Sequence, residues 1–351
     1  MVITTVISQM CNMRCKFCYQ GGFASTRISD DILYNKLLPV LQKTKLIYLA
    51  GGEITIIPGM KEYIVFLRKR FPNISILIST NGLLLDLEWA KFLVDNNVLV
   101  NYSLNASNAE NYKYKVYNVN YETNYKIIYE NLCTALRYQN DTGERIINFI
   151  STVVDDDSLD DIEKLAILGL KLGVNVYYRF NNGRIELSQN VIEKEYDIFL
   201  LKYFCEEFID IDLQFSPNIR NKETIMSSIR SNYINKVKKH IFLKQLGFSP
   251  KKSTKKIIYC MESHIDDDGS YCPALGNMLS ITPNGLVCLC GYTPNGIAGD
   301  LNHQSIEEIF EQQIVQDMIK SIKSGNYQYC FERCPYVKNP NLCDKGASFS
   351  V

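Results

Sequence analysis

Over the first 180 residues the apolar positions follow two alternating periods. Short β-branched runs at 2–7, 46–50, 73–79, 98–104, 146–154 and 174–180 read as strands. Between them the apolar residues recur every three or four positions, as on one face of a helix. Ser29 can cap a helix running to about Thr44, with Ile32, Leu33, Leu37 and Leu41 on one side. Further helices are expected at 58–71, 85–96, 121–139 and 158–172, the last closed by Gly173. Six strands separated by helices imply a parallel sheet with right-handed crossovers. Six units are too few for a closed eight-fold barrel, so the expected fold is α/β, a partial (β/α)6 TIM-like barrel.

Beyond Phe180 the alternation fades. Residues 185–245 read as helical, with amphipathic stretches at 193–208 and 222–242, and 251–256 is a basic linker after Pro250. From Cys260 the chain is rich in cysteine. Residues 279–290 read as a β-hairpin around Pro283-Asn284-Gly285, and a helix at 305–324 has Ser305 as its cap. Three segments are therefore expected: a barrel at 1–184, a helical bridge at 185–256, and a cysteine-rich α+β domain (hairpin plus helix) at 257–351.

Composition narrows the class. The 351 residues carry 38 basic and 38 acidic side chains, a formal net charge of zero. That argues against an electrostatic nucleic-acid binder, which would show a basic stripe. No apolar run reaches the ~18 to 20 residues of a membrane span. Nothing at the N-terminus reads as a secretory signal, so the twelve cysteines point to a reducing cytoplasm and metal use. The 23 Tyr and 16 Phe offer many stacking surfaces.

The candidate chemistry begins at Cys11-x3-Cys15-x2-Cys18, directly after the first strand. Three thiolates at this spacing can wrap one corner of a 4Fe–4S cluster and leave one iron open. A Cys-x2-Cys pair can also serve zinc, which would need two further ligands, and none of the three His lies near residue 20. Arg14 and Lys16 beside Cys15 and Cys18 favour thiolates. Ala50-Gly51-Gly52-Glu53 ends the second strand; its glycines allow close backbone approach, and Glu53 can accept from an ammonium group. Ser79-Thr80-Asn81-Gly82 ends the third strand, Ser103-Leu104-Asn105 the fourth, and Arg179 stands near the end of the sixth. Polar residues at strand C-termini read as site residues in barrels. Asn105 could meet ribose hydroxyls and Arg179 a carboxylate.

The cysteine triplet with Gly-Gly-Glu one βα unit later resembles the signature of radical S-adenosylmethionine (SAM) enzymes. The resemblance implies that Cys11, Cys15 and Cys18 hold a 4Fe–4S cluster whose open iron binds the amine and carboxylate of SAM. An electron from the cluster then yields a 5′-deoxyadenosyl radical that abstracts hydrogen from a substrate. It also implies that Gly51, Gly52 and Glu53 hold the SAM amino group. Ser79 and Asn81 would contact its ribose or methionine part, and Phe17 would stack on adenine. The fold so implied is the same partial barrel.

Cys272, Gly285-x4-Cys290, then Cys330, Cys334 and Cys343 resemble the SPASM and twitch extensions of that superfamily, which ligate one or two auxiliary 4Fe–4S clusters. The Cys-x3-Cys-x8-Cys end departs from the tighter array of full SPASM domains. Two all-cysteine clusters need about eight thiolates, and seven cysteines follow residue 259. One cluster held by Cys272, Cys290 and two of Cys330, Cys334 and Cys343 is therefore favoured, with a zinc knuckle as the alternative. Cys288 could donate hydrogen to a substrate radical, as in radical SAM peptide epimerases; a ligand or core thiol is the plainer reading. Cys133 and Cys205 are expected to be inert thiols inside helices.

Members of these families modify ribosomal peptides, activate sulfatases or dehydrogenate small alcohols. Only ten residues precede Cys11, so a leader-binding domain is expected to be absent. The leading expectation is hydrogen abstraction from a peptide residue, giving a crosslink, an epimer or an oxidised side chain. A small-molecule dehydrogenase and a non-catalytic iron–sulfur scaffold are the alternatives. The expected partners are the substrate and an electron donor such as flavodoxin or ferredoxin.

Overall fold

The computed structural model describes residues 1–18, 20, 25–154, 161–180, 213–215, 278–290, 296–324, 326, 328 and 329. Its frame is one sheet, in which strands β1 (Val2–Val6), β2 (Leu46–Ala50), β3 (Ser75–Thr80), β4 (Val98–Ser103), β5 (Ile147–Val154) and β6 (Val176–Phe180) run parallel in sequence order. All six coincide with the strands expected from the pattern, to within two residues at either end. A seventh parallel strand, β7 (Leu213–Phe215), pairs with β6. It falls within the stretch read as helical. Ile209, Ile211, Leu213 and Phe215 alternate with polar residues, the two-residue period of a strand, which the helical reading overrode.

Helices α2 (Met60–Arg70), α3 (Leu87–Asp95), the short α4 (Ala109–Tyr112), α5 (Tyr121–Thr142) and α6 (Ile162–Leu172) lie between the strands. Asp86 caps α3 by accepting from Trp89 N at 3.0 Å. The first connection departs from a plain helix. Ser29 Oγ accepts from Ile32 N at 3.3 Å as expected, but Ile32–Lys36 is a π-helical turn, followed by the short α1 (Leu38–Leu41). Pro39 lies in the first turn of α1 and has no N–H to give the preceding turn.

Two hydrophobic layers cover the sheet. Ile3, Ile7, Ile47, Leu49, Ile76, Ile78 and Val100 pack beneath the helices. Leu46, Tyr48, Ala50 and Leu77, with Val2 and Leu99 against them, form a separate cluster on the face turned away from the helices, the barrel lumen. Along that face the pairing register runs from apolar to polar. Leu77 is followed by Ser79, Leu99 by Asn101 and Ser103, and Phe149 by Ser151. The lumen is thus plugged with hydrocarbon at the strand N-termini and wetted at the C-terminal mouth. Among the described residues no helix is long and apolar enough to cross a membrane.

The expected hairpin is present as β8 (Met278–Ile281) and β9 (Leu286–Cys288), and β10 (Ile297–Asp300) extends it. It does not stand apart from the barrel: β8 pairs in parallel with β1, Val2 opposite Met278 through Thr5 opposite Ile281. The described sheet therefore has ten strands in the order β10-β9-β8-β1-β2-β3-β4-β5-β6-β7. Ser305 caps α7 (Ile306–Glu311) through a reciprocal capping box with Glu308, and α8 (Gln313–Lys323) follows.

Candidate active site

The mouth is assembled by backbone splicing. After β1, Ser8 O accepts from Gly52 N at 2.8 Å and Met10 O from Glu53 N at 2.8 Å. The loop carrying the cysteines is thereby tied to the end of β2. A Cβ on Gly52 would lie 1.9 Å from Met10 O, and one on Gly51, at φ +157°, would lie 2.7 Å from Ser8 O. Only glycine allows the two chains to approach this closely.

Glu53 is fully buried and serves as the hub. Its Oε1 accepts from Thr80 Oγ1 at 2.6 Å, Thr55 Oγ1 at 2.7 Å and Thr55 N at 3.1 Å. Among the described residues its Oε2 accepts from Asn81 N alone, at 2.6 Å. A carboxylate oxygen has about two lone-pair sites, so Oε2 keeps acceptor capacity. Burial holds the Glu53 carboxyl above its ordinary pKa, opposed by the hydrogen bonds from Thr80, Asn81 and Thr55. Asn81 reaches the cysteine loop itself: its Nδ2 donates to Asn12 Oδ1 at 2.7 Å and lies 4.0 Å from Cys11 Sγ.

The three cysteines are partly buried and face one another electrically. Burial, then the neighbouring Cys11, Cys18 and Glu53, push the Cys15 thiol up to about 12. Burial also raises Cys11, opposed by the Met13 amide, which donates to its Sγ at 3.4 Å, and by Arg14. The cations flanking the loop therefore do not prevail in the metal-free chain, contrary to the expectation that Arg14 and Lys16 would favour thiolates at Cys15. Burial and mutual repulsion of like charges outweigh them. A bound metal reverses that balance, since a coordinating thiol gives up its proton. Among the described residues no three His, Cys, Asp or Glu side chains converge tightly enough for a single metal ion. A donor set of three thiols without carboxylate or imidazole suits a polynuclear iron–sulfur cluster, whose thiolates bind different irons.

The remaining expected residues fall at graded distances from this centre. Ser79 faces the lumen, its Oγ 2.5 Å from Tyr48 Oη. Phe17 is half-buried in the cysteine loop. Asn105, at φ +60°, is buried and spends its side chain between strands: Oδ1 accepts from Val153 N at 3.1 Å and Nδ2 donates to Ser103 O at 3.2 Å. Arg179 lies on β6 in register with Val153 of β5, near the mouth end of both strands.

The structure does not bring Cys288 to the mouth. β9 pairs Cys288 with Ser280, which pairs with Thr4 of β1, below the strand end where the cysteine loop begins. β9 also stops at Cys288, so the same-face argument linking it to the buried Cys290 does not hold. Cys133 is half-buried on α5. Cys205, Cys260, Cys272, Cys330, Cys334 and Cys343 lie outside the described residues.

One site residue left no trace in the sequence. Lys115 is 1% exposed. Its ammonium donates to Val153 O at 2.6 Å and lies 5.9 Å from the Phe17 ring centre. Its carbonyl accepts from Lys16 N at 2.9 Å. Nothing in Tyr112-Lys-Tyr-Lys-Val-Tyr117 distinguishes this buried lysine from the solvated Lys113.

A parallel partial barrel with a three-thiol loop spliced to a Gly-Gly-Glu turn at its mouth defines an iron–sulfur enzyme of the radical SAM class. Comparison with known proteins agrees. The model of the radical SAM superfamily matches residues 5–169, and that of the SPASM iron–sulfur cluster-binding domain matches residues 272–335. The chain is 25% identical over 361 residues to a cysteine-type anaerobic sulfatase-maturating enzyme of Clostridium novyi (strain NT), covering 95% of this chain and 87% of that protein. Its fold is similar to Streptococcus suis SuiB bound to S-adenosylmethionine (TM-score 0.63, 12% identity, covering 98% of this chain and 75% of that one). It is also similar to anSMEcpe with bound AdoMet (TM-score 0.60, 15% identity, 97% and 91%). SuiB has also been solved with its precursor peptide SuiA, and anSMEcpe with a Cp18Cys peptide.

Proposed function

We propose that this radical SAM enzyme modifies a residue within a peptide by hydrogen abstraction. The observation that carries the reading is the mouth itself, where three thiols, the Glu53 hub and a polar lumen rim open onto one space. When bound, the cluster and SAM supply the one-electron chemistry. The chain's own residues then do the holding. Cys11, Cys15 and Cys18 ligate the cluster, Glu53 Oε2 and the Gly51-Gly52 backbone receive the SAM amino group, and Phe17 offers its face to adenine. Ser79 and Asn81 border the SAM position, whereas Asn105 acts by fixing the β4–β5 rim and Arg179 by its charge at the β6 end. Cys272, Cys290 and two of Cys330, Cys334 and Cys343 serve an auxiliary cluster. The division into a barrel at 1–184, a bridge at 185–256 and an auxiliary domain at 257–351 belongs to the same proposal.

A peptide substrate is supported by the curated relative's sulfatase-maturating activity and by the peptide complexes of the two structural neighbours. The test is anaerobic reconstitution followed by assay of 5′-deoxyadenosine with candidate peptides encoded near the gene. Peptide-dependent 5′-deoxyadenosine with a mass or stereochemical change in the peptide is expected. Turnover with a small alcohol and none with any peptide would sink the proposal.

A further inference from the structure

The cysteine loop has an outer edge, and residues 113–119 are laid along it. Tyr117 N donates to Arg14 O at 2.8 Å, Arg14 N donates to Asn118 Oδ1 at 2.9 Å, and Cys15 and Val116 form an antiparallel bridge. Behind this ledge lies Cys15. In front of it stand Val119, 89% exposed, Tyr117, 72%, and Tyr114, 43%. Val119 and Tyr117 are the two most exposed large hydrophobic residues among those described.

Single exposed apolar residues are ordinary, but three within six positions form a patch, and patches mark contacts. This one is dressed with cations. Lys16 Nζ lies 5.6 Å from the Tyr117 ring centre and Lys113 Nζ 4.9 Å from that of Tyr114. Arg14 is exposed, with its guanidinium on the carbonyls of Cys11 and Met13. Among the described residues neither Lys16 nor Lys113 is ion-paired. The acids of the neighbourhood, Glu110 and Glu122, act on Tyr121 together with Lys113, and the Tyr121 hydroxyl donates to Glu122 at 3.2 Å. On a chain of zero net charge, Arg14 and Lys16 flank Cys15 and put positive charge where the ledge meets the cysteine loop.

We propose that this ledge docks an acidic one-electron carrier protein. The proposal rests on the radical SAM reading of the site and names where its electron enters. Each docking oxidises the reduced carrier by one electron and reduces the iron–sulfur centre by one, with no bond or proton changing hands at the ledge. Redox encounters are small and transient, at the low end of interface size, which fits a patch of three apolar residues and three cations. Cations at the rim would steer a carboxylate-rich partner and set the association rate more than the affinity.

The test follows reduction of the reconstituted holoenzyme by stopped-flow absorbance, with reduced flavodoxin and, separately, with dithionite. The variants are Lys16→Glu with Lys113→Glu, Tyr117→Ser, and Lys171→Glu on α6 as a remote control. Reduction by flavodoxin at low ionic strength is expected to slow about tenfold in the double charge variant and to lose its salt dependence. Dithionite reduction and iron content are expected to stay as in the native enzyme. Unchanged flavodoxin rates, or an equal loss with dithionite, would overturn the proposal. An increased peptide KM under dithionite with a normal flavodoxin rate would assign the ledge to the peptide and overturn it too. A native chain that binds no iron at the loop would remove the underlying reading as well.

Discussion

Cysteines stand in two regions of one sheet, after β1 and on β9, and their surroundings differ in kind. At the barrel mouth, Cys11 and Cys15 each sense Cys18 and the buried Glu53 across the loop. On the hairpin, burial raises the Cys288 thiol, and among the described residues no charged group acts on it. The mouth loop is held by chain crossings that only glycine permits, whereas the hairpin is held by an ordinary strand ladder to β1. A cysteine poised for a cluster is thus distinguished by neighbours that resist its ionisation until a metal arrives.

That contrast can be broken most severely at the mouth. Replacing Cys11, Cys15 and Cys18 together by Ala should remove about four irons and abolish 5′-deoxyadenosine formation, read by iron analysis and chromatography. Iron held elsewhere should remain, and its amount counts the auxiliary clusters. Gly52→Ala forces a methyl group onto Met10 O and should cost about 3 kcal/mol in urea unfolding, the upper part of the overpacking range. Cluster loading should fall with it. A variant that unfolds like the native chain would mean that the splice is not rigid.

Lys115→Met should cost about 2 kcal/mol, because Val153 O loses a charge-assisted partner. It should also broaden the electron paramagnetic resonance signal of the reduced cluster, and Lys115→Arg should restore part of both. Glu53 sharpens the comparison through pH. Its folded carboxyl is raised above 4.5, so the folded metal-free chain retains a proton that the unfolded chain releases. Its contribution is fully present below about pH 4.5 and is lost as pH rises through the raised value. Glu53→Gln should flatten that slope in unfolding curves taken between pH 4.5 and 7. Cys288→Ala should do least, changing stability by about 1 kcal/mol or less and leaving 5′-deoxyadenosine formation intact. A large loss of turnover without loss of iron would return Cys288 to the chemistry.

Much of this was legible locally. The strand runs, the Ser305 cap and the Cys11-Cys15-Cys18 loop are encoded within short windows, where period, propensity and ligand spacing act. The failures share a cause. The β7 signal was only a few residues long and lay between two amphipathic helical stretches, 193–208 and 222–242. The π-helical turn stands directly before α1, whose first turn holds Pro39 without an N–H, and the apolar period alone does not tell it from an α-helix. Asn105 read as an open site residue because a polar strand end looks the same whether it faces ligand or a neighbouring strand; the positive φ and the bonds to Val153 and Ser103 set it to the second.

By itself the sequence determined the parallel α/β frame and the chemistry at its mouth, since strand period, thiol spacing and the Gly-Gly-Glu turn are properties of neighbours along the chain. Tertiary structure alone decided that the distant hairpin joins β1, that Thr80 and Asn81 donate to Glu53, and that Lys115 is buried beneath Phe17 while Lys113 is not. These are outcomes of hydrogen-bond completion and burial between segments far apart in sequence, where no local pattern records which partner is reached.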